Sequence, residues 1–439
     1  MRDLALTIVF IGILPFALRH TWIGVLLWTW MSIMNPHKLT WGFASTAPFA
    51  MVAALVTFAS VLVDRKSLRL PSDPTVIALV LWVTWMCITT FNAINVDRSI
   101  NDLITVLKIQ VMTFIAFMAI RDRKHIEAFI WVVVISVGFY GFKGGIFTIA
   151  TGGSSRVWGP SDTYIYGNNE VGLALTMVIP LANYLRVVSP HVWVRRGLLA
   201  LMLLSAAAVL GTQSRGALLA IGAMTTVLWF RSSKKVVGGV VLVALSMALL
   251  SFMPKSWDDR MATIGTYQQD GSAMSRINAW EMAINIANDR ATGGGFVVET
   301  YEVYQRYAPS LEWGVFTAHS IYFQALGEQG WVGLALFLAV GAGAFLATMQ
   351  VRRLAKRQPE TMWAFELAGM VQVSMIGYAS GGSFLSLAYL DLAYNIAVVI
   401  VACKVWLRNE RWKAETQGLF GSGVPMGRLP KPPKDMARA

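Results

Sequence analysis

Apolar stretches of roughly 17–25 residues recur along nearly the whole chain, and this recurrence restricts its fold more than any motif does. A hydrocarbon core about 30 Å thick takes helices of that length. Backbone groups that meet no water there must be paired within their own element, so each stretch is expected to be helix rather than open strand. Candidates run at about 44–63, 73–94, 102–120, 124–150, 168–186, 197–213, 216–231, 235–253, 331–350, 361–380 and 383–404. Residues 4–34 are also apolar but are interrupted by Arg19 and His20. A single broken crossing there gives about twelve transmembrane helices. Two short helices would instead leave the N-terminus on the outer face. The favoured expectation is an all-α polytopic membrane protein with about twelve crossings and one large periplasmic loop that contains helices. No small-residue cleavage site follows the first apolar run, so that run is expected to be retained.

Charge orients the bundle. Arg65, Lys66 and Arg69, then Arg121 to Lys124, Arg195 with Arg196, Arg231 with Lys234 and Lys235, and Arg352 to Arg357 mark one set of loops. The positive-inside rule places them in the cytoplasm. The net charge of +13 is therefore topological, suited to anionic membrane lipids and not to nucleic acid. The loops at about 35–43, 95–101, 151–167 and 254–317 fall on the opposite face. This divides the chain into N-terminal transmembrane helices (1–253), a large periplasmic loop (254–317), C-terminal transmembrane helices (318–404) and a basic cytoplasmic tail (405–439). The Gly-, Pro- and Lys-rich end of that tail is expected to be disordered. Cys87 and Cys403 lie in apolar helices and carry no disulfide or metal signature.

The outer polar segment has internal order. An amphipathic helix is expected over about 273–288, with Ala273, Ile277, Trp280, Ala283, Ile284 and Ala287 on its apolar stripe and Arg276 off it. Gly293-Gly294-Gly295 lets the backbone bend closely against its neighbours. Tyr301, Tyr304 and Tyr307 recur at three-residue spacing. They either stack on sugar rings or pack the loop at the membrane interface.

Three residues stand out for chemistry. His319, at the outer edge of a helical segment, suits a general base near neutral pH, or is an interfacial histidine satisfied by a hydroxyl such as Ser320. Arg215 lies in the polar turn Gly211-Thr212-Gln213-Ser214-Arg215-Gly216, where a guanidinium fork suits a phosphate or a structural carboxylate such as Asp270 or Glu281. Arg276 joins them from the loop. In the second outer segment Arg156, Trp158 and Asn169 are candidates for a shared cavity. No cluster of ligands at metal spacing occurs on the outer face, and no metal or cofactor is expected. A lipid-linked glycan transporter is the alternative of a different class. It predicts internal repeats and ionisable groups at mid-bilayer, whereas the ionisable groups here gather at the edges.

These pieces resemble the O-antigen ligase and polymerase superfamily of bacterial inner-membrane glycosyltransferases. Gln213-Ser214-Arg215-Gly216-Ala217 is similar to its Ser-Arg-Gly turn. Ser275-Arg276-Ile277-Asn278-Ala279-Trp280 is similar to its loop arginine followed by an apolar residue and Trp. Ala318-His319-Ser320-Ile321-Tyr322-Phe323-Gln324, followed by Gly327-Glu328-Gln329-Gly330-Trp331-Val332-Gly333, resembles its His-Asn segment and the helix start after it, with Ser320 in place of Asn. Asp289 to Phe296 resembles a further glycine-containing segment that in the family carries a Pro absent here. The likeness covers about 150–400, and residues 1–43 resemble a subfamily labelled putative O-glycosylation ligase.

The resemblance implies a ligase in the bacterial inner membrane with its active site facing the periplasm. It would take a glycan from an undecaprenyl-diphosphate donor and pass it to the lipid A–core oligosaccharide by a metal-independent, inverting transfer. His319 would be the base, and Arg215 and Arg276 would hold the diphosphate. Gln213, Arg156, Asn169 and Tyr301 are further candidate substrate contacts. A glycan polymerase and a protein O-oligosaccharyltransferase of the same superfamily differ only in acceptor.

Overall fold

The computed structural model describes residues 1–63, 69–161, 163–231, 235–236, 239–240, 243, 247, 271–356 and 358–413. The apolar run expected at 235–253 lies mostly outside the described residues. So do the loop at 254–270, with the Arg215 partner candidate Asp270, and the tail from 414. Among the described residues every regular element is helical. In chain order the helices are α1 (Arg2–Arg19), α2 (Thr21–Thr29), α3 (Phe49–Val63), α4 (Pro74–Phe91), α5 (Val96–Ala119), α6 (Arg123–Ala150), α7 (Asn168–Val188), α8 (Val192–Gly211), α9 (Arg215–Arg231), α10 (Gly271–Asp289), α11 (Tyr301–Tyr307), α12 (Ile321–Ala355), α13 (Met362–Gly382) and α14 (Asp391–Arg408).

Six of the described helices are long and apolar enough to cross a membrane: α4 to α8 and α12. The expected twelve crossings include the run at 235–253, which lies mostly outside the described residues. Helices α3 and α9 are short, at 15 and 17 residues. Helices α1 and α14 carry charge at both ends, with Arg2, Asp3 and Arg19 on one and Asp391, Lys404 and Arg408 on the other.

The N-terminal region differs from the single broken crossing. The chain is extended at His20 (φ −134°, ψ 105°), so α1 and α2 form a hairpin. Asp3 Oδ1 accepts from the Gly42 and Ala44 amides, each at 3.1 Å, which fixes the chain start beside the outer 42–44 loop. At the other end Trp22 stacks on His125 with ring centroids 4.5 Å apart. The chain start therefore lies at the 42–44 end of the bundle, and the turn at His20 lies at the opposite end, beside His125.

Lipid tails are as apolar as leucine, so close packing and polar contacts hold such helices together more than apolar burial does. Helices α6, α7 and α8 pack on one another, and the small residues Gly138, Gly141 and Gly145 bring α6 against α8. A Cβ at Gly145 would sit 2.3 Å from the Leu204 carbonyl oxygen. Helix α12 packs on α4, α13 and α14, and α13 in turn packs on α7 and α9.

Two departures from the sequence pattern build the outer end. The apolar run 383–390, expected as the start of a helix, is a buried turn. Its Leu385, Leu387, Ala388, Tyr389 and Leu390 are all inside. Tyr378 Oη donates to Leu387 O (2.8 Å), Tyr394 Oη donates to Ala388 O (3.0 Å), and Gln324 Oε1 accepts from Ala388 N (3.1 Å). A buried loop needs such partners, because its backbone groups reach no water.

The second departure is the buried face of α10. It is Ser275, Asn278, Ala279, Met282, Ala283, Ile286 and Ala287, about one position round from the expected stripe. Two polar residues belong to it because Asn278 exchanges hydrogen bonds with Ser310. Helices α10 and α11 share a small core of Ala279, Met282 and Ile286 with Val298, Val303, Tyr304 and Tyr307.

Helix α12 is two helices end to end. Gly330 takes φ 70°, ψ −175°, a conformation only glycine adopts readily. The glycine run closes this break: Gly294 N donates to Gly327 O and Gly295 N to Glu328 O, both at 2.9 Å. A Cβ on Gly330 would meet the Ala291 carbonyl oxygen at 2.4 Å. The close backbone approach expected of this run is what the structure shows.

Candidate functional site

The turn between α8 and α9 is built by its own side chains. Thr212 Oγ1 donates to Val209 O (2.6 Å) and accepts from Ser214 N (3.3 Å). Ser214 Oγ accepts from Ala217 N (3.1 Å), as an N-cap does. Between them Gln213 is left-handed (φ 54°) and buried. Arg215 is the first helical residue of α9, beside a helix N-terminus whose dipole favours anions.

The 151–167 loop is sewn to this turn. Gln213 Nε2 donates to Gly153 O (2.9 Å), and Gln213 Oε1 accepts from Arg156 Nε (3.4 Å). Asn168 Nδ2 donates to Thr212 O (2.8 Å). Arg156 and Gln213 therefore meet. Asn169, on the first turn of α7, is half-buried, and its neighbour Asn168 is the residue that holds the turn. Trp158 is exposed and packs near Tyr166.

His319 lies just before α12 with a left-handed backbone (φ 43°). Its neighbour Ala318 accepts at its carbonyl from Trp280 Nε1 (2.6 Å), and the Trp280 indole stacks on Phe323 with centroids 4.9 Å apart. Trp280 is one helical turn from Arg276, so the two share a face of α10. That docking puts the Arg276 guanidinium within electrostatic reach of the imidazole. The His319 pKa is lowered to about 4, first by burial and then by the Arg276 charge. The ring is neutral at pH 7 and free to accept a proton.

The outer end of α13 supports both parts. Gly382 packs against Ile321, and Tyr322 Oη donates to Ala379 O (2.9 Å). On its other side Gly216 faces Gly381 and Phe384. The Arg215 turn and the His319 segment thus flank one helix terminus, and α10 brings Arg276 down onto the second of them. Glu281, offered as a structural partner for Arg215, is exposed on α10.

The tyrosines divide. Tyr304 Oη donates to Phe316 O and accepts from Phe316 N (3.2 Å), and Tyr307 Oη donates to Asp289 Oδ2 (2.6 Å). Both are buried and pack the loop, while Tyr301 is 62% exposed.

A buried polar chain below His319 was given no role from the sequence. Tyr389 Oη donates to Glu328 Oε2 (2.5 Å) and accepts from Gln329 Nε2 (3.2 Å). It ties the first half of α12 to the buried 383–390 turn. Its signal in the sequence was Glu328-Gln329, a charged and an amide residue inside a segment that becomes apolar at once. Among the described residues no group of three His, Cys, Asp or Glu side chains is placed to hold a metal ion.

An apolar groove of about 490 Å3 opens at Ile321 and Tyr322, next to His319, and descends between α12, α13 and α14 past Phe337, Phe345 and Met375.

Residues 200–338 match the family model described as O-antigen ligase, a span that contains Arg215, Arg276 and His319. Residues 1–189 match a family of unknown function, DUF5935. No curated protein matches the chain.

Proposed function

From the match of residues 200–338 to the O-antigen ligase family model, we propose that this chain is a ligase acting at the periplasmic face of the inner membrane. It moves a glycan from undecaprenyl diphosphate to the lipid A–core oligosaccharide. The observation that carries this reading is the neutral, half-buried His319 held beside Arg276 on the outer end of the bundle.

In the proposed step a hydroxyl of the acceptor sugar gives its proton to His319. The oxygen attacks the anomeric carbon of the donor from the face opposite the diphosphate, and the bond to the diphosphate oxygen breaks with inversion. Arg215, at the N-terminus of α9, and Arg276 stabilise the negative charge that grows on the leaving group. An imidazole with a pKa near 4 is a weak base, and here the donor itself corrects this. A diphosphate bound at Arg276 offsets the cation that depresses the histidine, so the imidazole becomes more basic when the donor is present. The groove beginning at Ile321 and Tyr322 suits the donor's polyprenyl chain.

The lipopolysaccharide profile of a deletion strain carrying either the wild-type gene or His319→Ala tests this. Loss of the long-chain ladder with accumulated lipid-linked glycan is expected for the variant. A ladder shortened but still attached supports the polymerase reading. An unaltered profile in the deletion strain removes lipopolysaccharide as the product and leaves a protein acceptor.

A further inference from the structure

A second cavity, of about 690 Å3, lies on the flank of the bundle built by the N-terminal region and has no part in the step above. Its volume is in the usual range for ligand sites, about 300–1,000 Å3. Helix α3 gives it Met51, Leu55 and Phe58, and α5 gives it Ile104; all four are exposed. Such a wall suits hydrocarbon.

The cavity also holds a charge. Lys108 lies on α5 twelve residues beyond Val96, about 18 Å along the axis at 1.5 Å per residue. It is exposed, and among the described residues no carboxylate lies within 4 Å of it. An ionisable group within a membrane helix is costly and usually has a partner. Asp391 lines the same cavity, but it is 6% exposed and its Oδ2 accepts from Ser32 Oγ at 2.6 Å. Lysine stems can carry their charge along an apolar wall toward the interface, and Thr105, Thr163 and Tyr164 line the same cavity. An ammonium with hydrocarbon walls around it and hydroxyls near it fits a phosphate on an acylated lipid.

The cavity is joined to the reaction site by covalent structure. Tyr164 belongs to the loop whose Arg156 holds Gln213 beside Arg215. Leu390 to Leu392 continue from the buried turn that carries Tyr389. The polyprenyl groove lies against Tyr378, Ala388 and Tyr394, so the same 388–394 segment borders both.

Resting on the functional reading above, we propose that this N-terminal cavity holds the acyl portion of the acceptor lipid, with Lys108 on its phosphate. It assigns to the region matched only by a family of unknown function the task of recognising the acceptor.

The test uses the full chain in detergent with bisphosphorylated lipid A as probe, and measures binding by native mass spectrometry. Undecaprenyl diphosphate binding is measured in parallel. Lys108→Gln is expected to weaken lipid A binding about tenfold or more, the scale of one lost charged hydrogen bond. Ala54→Phe, which fills the cavity from α3, is expected to abolish it. Both variants should bind undecaprenyl diphosphate as wild type does. Undiminished lipid A binding by both variants overturns the proposal. So does equal displacement of lipid A by phosphatidylglycerol, which makes the cavity a general phospholipid site. Failure of the donor reading appears elsewhere, as unchanged undecaprenyl diphosphate binding in Arg215→Lys and Arg276→Lys.

Discussion

The two ends of the bundle handle positive charge differently. At the inner end cations meet carboxylates of the scaffold. Lys404 Nζ lies 2.6 Å from Asp73 Oδ2 with both side chains buried, Arg411 lies 2.7 Å from Asp122, and Arg123 lies 2.7 Å from Glu127. Asp73 is also the N-cap of α4, accepting from Thr75 N at 2.9 Å. At the outer end a guanidinium is set beside a histidine, where it opposes protonation. The first set of cations lies against carboxylates, whereas Arg276 lies next to a group it perturbs, as a charge with the proposed role in the reaction would. The contrast predicts that outer variants lose activity while the fold persists, and that inner variants lose the fold.

The largest effect is expected for His319→Ala. Transfer should fall by about 10²–10⁴-fold, the usual contribution of a general base, with melting temperature and donor binding near wild type. Near-normal transfer at normal protein level would reduce His319 to a packing residue and erase the contrast at its sharpest point. The arginines come next. Arg215→Ala and Arg276→Ala should each lower transfer by about 10²–10³-fold, and the Lys variants should recover little, because lysine keeps the charge without the planar fork. A lowered melting temperature with unchanged donor binding would move these residues into the same class as Lys404.

At the inner end Lys404→Met leaves Asp73 buried without its partner and should cost about 3–5 kcal/mol of stability. Surviving protein should transfer at the wild-type rate. A stable variant that has lost transfer would break the division between the two ends.

The smallest effect is a displacement in pH. Burial and Arg276 lower the folded pKa of His319 to about 4 from the ordinary histidine value of about 6.5. Protonation therefore opposes the native state. The penalty is absent above the unfolded value and grows as pH falls from there to about 4. In kcat/KM the acid limb should appear near pH 4, and Arg276→Gln should move it upward by removing the second of the two causes. A limb near 6.5 in the wild type would mean that the imidazole is exposed to solvent and not held as described.

The sequence carried the site better than the paths leading to it. Arg215 and His319 were legible as candidates because each is a polar residue at the edge of an apolar segment, where a charge needs a reason, and Arg276 because it stands off the apolar stripe of its loop helix. The glycine run was legible as a place of close backbone approach, though not that its partner would be a broken helix. Residues 383–390 were misassigned because apolar composition signals burial, not helicity, and a loop whose carbonyls meet Tyr378 and Tyr394 can be buried as well. The face of α10 was displaced because Asn278 finds backbone partners at Ser310, which no periodicity reveals. Lys108 was passed over inside an apolar run, since one lysine barely alters the hydropathy of its segment.

The break at Gly330 has a mechanical consequence. Residues 331–355 form about 37 Å of helix at 1.5 Å per residue, and a span of that length tilts when the bilayer thins or thickens. Were the helix continuous to Ile321, it would act as a lever arm with His319 at its tip, and each degree of tilt would swing the imidazole away from Arg276. The break uncouples the two halves, and the clamp of Gly294 and Gly295 fixes the short one to the polar loop that carries α10 and α11. The candidate groups His319 and Arg276 thus take their reference frame from that loop and are insulated from the thickness of the membrane they sit on.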